Sequence, residues 1–180
     1  METLTQKVVV PFEQMYKEAE MVAEHLHSNQ TYDDIFPYMK HIHDVVSVMK
    51  RYGFSGNYII VAYLHDGIED SRLTYNKIKK IFNVDCAEMV LSVTNPSDAR
   101  NRKEKFAITY KKLQVYTNGI PNKLGDRIAN VEHGIRFESD QLEMYRKEYP
   151  EFRAKLRPIS PDSTEQMWND LDRLLKFKEQ

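Results

Sequence analysis

The sequence predicts an all-α fold in a single domain, on three observations. Apolar residues recur at three- and four-residue spacing through most of the chain. There are only six glycines in 180 residues. No Asn-Gly or Asp-Gly turn sits between alternating apolar runs, so the signature of hairpins is missing. The length supports one sizeable core.

The elements follow in order. Phe12, Met15, Ala19, Val22, Ala23 and Leu26 mark one face of a first helix. Pro37 is placed to start a second, which Met39, Ile42, Val45, Val46 and Met49 continue as far as Gly53. Asn57 to Leu64 is apolar on nearly every side and reads as a more fully buried helix. Thr74 is suited to cap a helix over Tyr75 to Phe82. Ala87, Val90, Leu91 and Val93 give a short helix ending near Asn95-Pro96. The polar stretch from Asn95 to Lys105 reads as a loop. Phe106, Ile108, Tyr110, Leu113 and Val115 form the next helix, followed by Pro121 to Val131 and Leu142 to Tyr149. Pro158 to Ser163 reads as a linker. A last helix carries Met167, Trp168, Leu171, Leu174 and Leu175. Its apolar stripe fits either the domain core or a subunit interface.

Composition narrows the function. A hydrophobic fraction of 41% with 29% charged residues is ordinary for a globular protein. A formal net charge of −1 gives no general surface for nucleic acid or membrane. The single cysteine, Cys86, excludes an internal disulfide framework and fits a reducing compartment. No apolar run approaches the ~18 residues a membrane helix needs, and METLTQKVVVPFEQ has no signal-peptide core. The expected setting is cytoplasmic.

The chemistry concentrates in YLHDGIEDS. His65, Asp66, Glu69 and Asp70 follow directly on the apolar run Tyr58 to Leu64. A buried imidazole beside a buried carboxylate is costly unless paired or bound to metal, so this stretch reads as part of a metal site. Ligands to a divalent cation must converge from several elements. A second imidazole from the preceding helix would be His41 or His43, and a distant carboxylate would be Asp126 in KLGDRIANV. Asp126 and Asn130 are four apart and share a helix face. Mixed imidazole and carboxylate ligation suits Mn²⁺, with Co²⁺, Fe²⁺ or Zn²⁺ also compatible. Glu69, four residues after His65, would share its face if the helix continued. Acidic groups gain nothing from solvating a helix C-terminus, where the dipole is already negative.

The whole set resembles the HD superfamily of metal-dependent phosphohydrolases, most closely the RelA/SpoT-type alarmone hydrolases and their small single-domain relatives. Their YxxH, HDxxED, VT-plus-basic-loop and KLADxxxN segments correspond to Tyr38–His41, His65–Asp70, Val93-Thr94 with Arg100, Arg102 and Lys103, and Lys123–Asn130. The register favours His41 over His43, because Tyr38 precedes it by three and Val45 follows it by four. The resemblance implies an HD helical bundle over residues 1–157, with residues 158–180 adding a C-terminal helix on the same domain. It implies His41, His65, Asp66 and Asp126 as metal ligands and Glu69 and Asp70 as the acid/base pair. Asn130 would contact a nucleotide sugar, and Arg102, with Arg100, Lys103 and Lys105, would bind phosphates. Arg127 has the choice of phosphate or a carboxylate partner. His25, His27 and His133 read as structural. Where the family carries Arg-Lys before a histidine, this chain has His25 and Leu26, which alters the expected base contact.

The implied activity is removal of 3′-pyrophosphate from guanosine polyphosphates. Two alternatives remain: an HD enzyme acting on deoxynucleotides, as triphosphohydrolase or 5′-nucleotidase, and a non-enzymatic binding module on the same fold. The expected partner is a small-molecule nucleotide, not nucleic acid or membrane, and a homo-oligomer stays open.

Overall fold

The computed structural model describes residues 11–69 and 73–178. The described elements are α1 (Phe12–His27), a two-stranded antiparallel ribbon of β1 (Thr31–Tyr32) and β2 (Phe36–Pro37), α2 (Met39–Arg51) and α3 (Asn57–Leu64). Then come α4 (Tyr75–Ile81), α5 (Val84–Val93), α6 (Arg102–Val115), α7 (Ile120–Phe137), α8 (Gln141–Leu156) and α9 (Glu165–Leu174). Three single 3-10 turns, Thr117–Gly119, Arg157–Ile159 and Asp162–Thr164, join the later helices.

The apolar spacing explains the layering. Helix α3 buries every residue from Ile59 to Leu64, because it lies inside the bundle against α1, α2, α5 and α7. Helix α7 packs on α2, α3, α8 and α9, so it joins early helices of the chain to the last two. Trp168 of α9 is fully buried against Phe152 of α8, with ring centroids 5.4 Å apart. The apolar stripe of α9 therefore faces the core.

Local chemistry sets the ends. The side chains of Thr74, Asn83 and Asn101 accept from the backbone N–H of Lys77, Cys86 and Glu104 at 3.3, 2.8 and 3.0 Å, satisfying donors that helix starts leave free. The chain leaves α2 through Tyr52 and Gly53, and the Gly53 φ of +80° suits glycine. There Phe54 N donates to Met49 O and Gly53 N to Lys50 O, each at 3.0 Å, a Schellman closure.

Five expectations change. Pro37 pairs with Thr31 in the ribbon instead of starting α2, which begins at Met39. The loop after α5 ends at Asn101, so Arg102, Lys103 and Lys105 occupy the first turns of α6. Val115 is 88% exposed, because α6 turns its last residue away from the core. Helices α7 and α8 are longer than their apolar spacing indicates, and α8 runs through Pro150 to Leu156. The stretch after it is folded and tied down: Trp168 Nε1 donates to Ser160 Oγ at 3.0 Å. Among the described residues no helix is long and apolar enough to cross a membrane.

Candidate metal centre

His41 sits in the first turns of α2, His65 and Asp66 at the C-terminal end of α3, and Asp126 midway along α7. These three helices pack together, and the fold brings the side chains to one point. One ligand atom each from His41, His65 and Asp126 lies within 4.8 Å of the others. His41 Nε2 is 3.3 Å from His65 Nε2, 3.5 Å from Asp126 Oδ1 and 3.7 Å from Asp66 Oδ2. His65 Nε2 is 3.0 Å from Asp66 Oδ2. The chain stops being helical at His65 and turns, with Gly67 N donating to Leu64 O at 2.9 Å. That turn lets adjacent residues face one centre.

The tautomer of His65 is fixed. Its Nδ1 lies 2.8 Å from the carbonyl of Ala62. A carbonyl can only accept, so Nδ1 carries a proton and Nε2 turns its other valence inward, the usual arrangement of a metal-binding imidazole. Two imidazole nitrogens and two carboxylates this close present nitrogen and oxygen donors to one point. The donor set fits a divalent cation of the Mn, Fe, Co or Zn type.

Electrostatics agree. Burial alone would lower the His65 pKa, but the charge and hydrogen bond of Asp66 outweigh it, with Asp126 adding to them, and push it up to about 9. Burial would raise Asp66, yet His65 beside it holds its carboxyl well below the usual range. Asp126 is likewise held low against burial by Lys123 and by the two imidazoles. Lys123 Nζ reaches Asp126 Oδ2 at 3.0 Å, and Tyr38 Oη donates to Asp66 Oδ2 at 2.6 Å.

A cavity of about 350 Å³ opens over the cluster. Glu69, Asn130 and Arg102 line it, together with Tyr32, Lys123, Arg127, Phe106 and Tyr145. Glu69 lies past the end of α3 in a turn, not on a continuing helix. Its Oε1 accepts from Asn95 N and Nδ2 at 2.9 and 3.0 Å. Burial and the neighbouring Asp66 charge raise its pKa. Asn130 accepts from Tyr32 Oη at 2.9 Å and donates to Asp126 O and Oδ1 at 2.9 and 2.5 Å. Arg102 Nε pairs with Glu148 Oε1 at 2.5 Å, and Arg127 Nη1 with Glu148 Oε2 at 3.1 Å. Asp70 lies outside the described residues.

The remaining candidates separate from the site. His43 pairs with Glu20 on the surface at 3.0 Å. Arg100 pairs with Glu104 at 3.1 Å, and neither it, Lys103 nor Lys105 lines the cavity. His25 is exposed and Leu26 is in the core, so neither offers a base contact. His27 stacks on Tyr38 with centroids 4.6 Å apart, and His133 faces Asp33 at 3.0 Å. Tyr32, Tyr145 and Glu148 carried no signal in the sequence. Lys123 did: three residues before Asp126 on a helix, it was bound to reach it.

The HD domain family model matches residues 19–118. The chain belongs to the HD domain family. The match includes His41, His65, Asp66, Glu69 and Arg102 and stops before Asp126. Among curated relatives, the guanosine-3′,5′-bis(diphosphate) 3′-pyrophosphohydrolase of Aquifex aeolicus (strain VF5) is 32% identical over 138 residues, covering 74% of this chain and 20% of that protein. The bifunctional (p)ppGpp synthase/hydrolase SpoT of Escherichia coli (strain K12) is 29% identical over 121 residues, covering 64% and 17%. The chain thus spans about a fifth of the length of these relatives. Two solved structures share the HD fold. A metazoan ortholog of SpoT, described as hydrolysing ppGpp, superposes with a TM-score of 0.76 at 17% identity, over 95% of this chain and all of that one. A Listeria monocytogenes EGD-e protein gives 0.64 at 19%, over 77% and 99%.

Proposed function

We propose that this HD domain is a divalent-metal-dependent hydrolase that removes the 3′-pyrophosphate of guanosine polyphosphates in the cytoplasm, with Mn²⁺ as its metal. The observation that carries the reading is the meeting of His41, His65, Asp66 and Asp126 beneath a cavity that also holds Glu69, Lys123 and two arginines. The names of the curated relatives supply the substrate class.

A divalent cation in this set supplies Lewis acidity, polarising a phosphate oxygen and making water a better nucleophile. The chain's own groups do the rest. Asn95 occupies Glu69 Oε1, which leaves Oε2 to take the proton of the attacking water. The raised pKa of Glu69 brings it closer to neutral pH, where a general base works best. Asp70 is its partner in this reading. Attack on the phosphorus bonded to the 3′ oxygen breaks that P–O bond, and the sugar oxygen leaves as a hydroxyl after taking up a proton. Lys123, Arg102 and Arg127 face the cavity as the cationic wall for the diphosphate, and Asn130 is the group for the sugar.

Incubation with Mn²⁺ and guanosine 3′,5′-bis(diphosphate) should release pyrophosphate and GDP, and Asp66→Ala should abolish both turnover and metal binding. Triphosphate released from a deoxynucleotide would instead assign the chain to the triphosphohydrolases. A protein that binds nucleotide without turnover would be a binding module.

A further inference from the structure

We propose that Tyr32 is a positioning residue of the metal centre, fixing the His41 imidazole by stacking and the Asp126 carboxylate through Asn130. The inference rests on the metal-centre reading above.

A metal-binding imidazole is ordinarily oriented by a hydrogen bond from its second nitrogen. His65 has that bond, to Ala62 O. His41 does not: its Nδ1 is buried with no hydrogen-bond partner among the described residues. What lies against His41 is the ring of Tyr32, stacked with centroids 4.8 Å apart and planes at 26°. The Tyr32 hydroxyl donates to Asn130 Oδ1 at 2.9 Å. That bond fixes which way the Asn130 amide faces, and its Nδ2 is left to donate to Asp126 Oδ1 at 2.5 Å. One side chain therefore restrains two ligands carried by different helices.

The backbone that delivers Tyr32 is strained. Asp33 and Asp34, which follow it in the ribbon turn, have φ of 54° and 57°. Left-handed non-glycine residues persist where surrounding structure over-determines them. Here His133 Nε2 and Ser139 Oγ hold the Asp33 carboxylate at 3.0 and 3.3 Å. The strain sits beside the site, on the segment that carries the stacking ring.

The test is Co²⁺ titration of the metal-free protein by calorimetry, with the Co²⁺ absorption spectrum recorded in parallel. Wild type, Tyr32→Phe and Tyr32→Leu are compared after circular dichroism has shown each to be folded. Tyr32→Phe keeps the stack and frees Asn130, and should weaken Co²⁺ binding about tenfold. Tyr32→Leu removes both restraints and should weaken it towards a hundredfold, the range for loss of a partner that orients a ligand, with a shifted spectrum. Wild-type affinity and an unchanged spectrum in either folded variant overturn the assignment; the isosteric Phe variant suffices if Leu does not fold. A wild-type protein that takes up no Co²⁺ overturns the metal centre itself, a separate result.

Discussion

The two oxygens of Asp126 have different partners: Oδ2 meets Lys123 at 3.0 Å, and Oδ1 faces His41 at 3.5 Å. The lysine thus leaves Oδ1, which also accepts from Asn130 Nδ2 at 2.5 Å, as the oxygen turned to the imidazole. His65 makes the centre pH-sensitive. Its folded pKa of about 9 exceeds the ordinary 6.5, so its proton stabilises the metal-free fold fully below 6.5 and ceases to do so as pH rises through 9. A cation competes with that proton, so Mn²⁺ affinity should rise by up to about tenfold per pH unit across this window and level off above it. Calorimetric Kd values that stay flat from 6.5 upward would contradict the raised pKa of His65. Glu69→Gln should lower kcat by about 10²–10⁴-fold while leaving Mn²⁺ affinity near wild type; unchanged kcat in a pyrophosphate-release assay would remove Glu69 as the base. Cys86 is fully buried and its thiol is pushed up to about 12, so it should react with thiol reagents only after denaturation. The side chains that meet at the centre, His41, His65, Asp66 and Asp126, were legible as residues, and so was Lys123. Tyr32 was not, because its partners His41, Asn130 and His133 are assembled only by folding.

The helices were legible because each buries one stripe, and α3 because it buries all sides. The β1–β2 ribbon was hidden, since two-residue strands have no period to read. The start of α6 was obscured by its run of charges, although Asn101 with Glu104 three residues on is a recognisable cap pattern. Gly125 shows how closely α7 must approach α2. A Cβ there would stand 2.5 Å from Met49 Sδ, so alanine would force the methionine out of place. Mid-helix Gly→Ala gains up to about 1 kcal/mol from propensity, while overpacking costs about 1–3 kcal/mol. The clash should prevail in the wild-type background, and Gly125→Ala should destabilise by about 1 kcal/mol. In a Met49→Ala background the clash is gone, and the same change should stabilise by about 1 kcal/mol. Denaturant midpoints for the four proteins of this cycle decide the matter; additivity would mean that the two helices do not meet there as the structure has it.

At the scale of the whole molecule, the centre joins helices that the chain separates widely. His41, His65 and Asp126 come from α2, the end of α3 and α7, and α7 also packs on α9. A cation bound at the centre therefore restrains the element on which the C-terminal helix rests. The single tryptophan, Trp168, is fully buried on α9 and reports on that helix, whereas far-UV circular dichroism reports on all of them. If residues 158–178 fold as one unit with the rest, the two signals should melt together. Saturating Mn²⁺ should raise both midpoints by the same amount. At a hundredfold excess over Kd the gain is about 2.7 kcal/mol, or roughly 5–10 °C for a domain of this size. Asp66→Ala should erase the shift in both signals. A tryptophan transition that comes first and ignores the metal would show that the C-terminal helix is an independent appendage, and that the coupling through α7 fails.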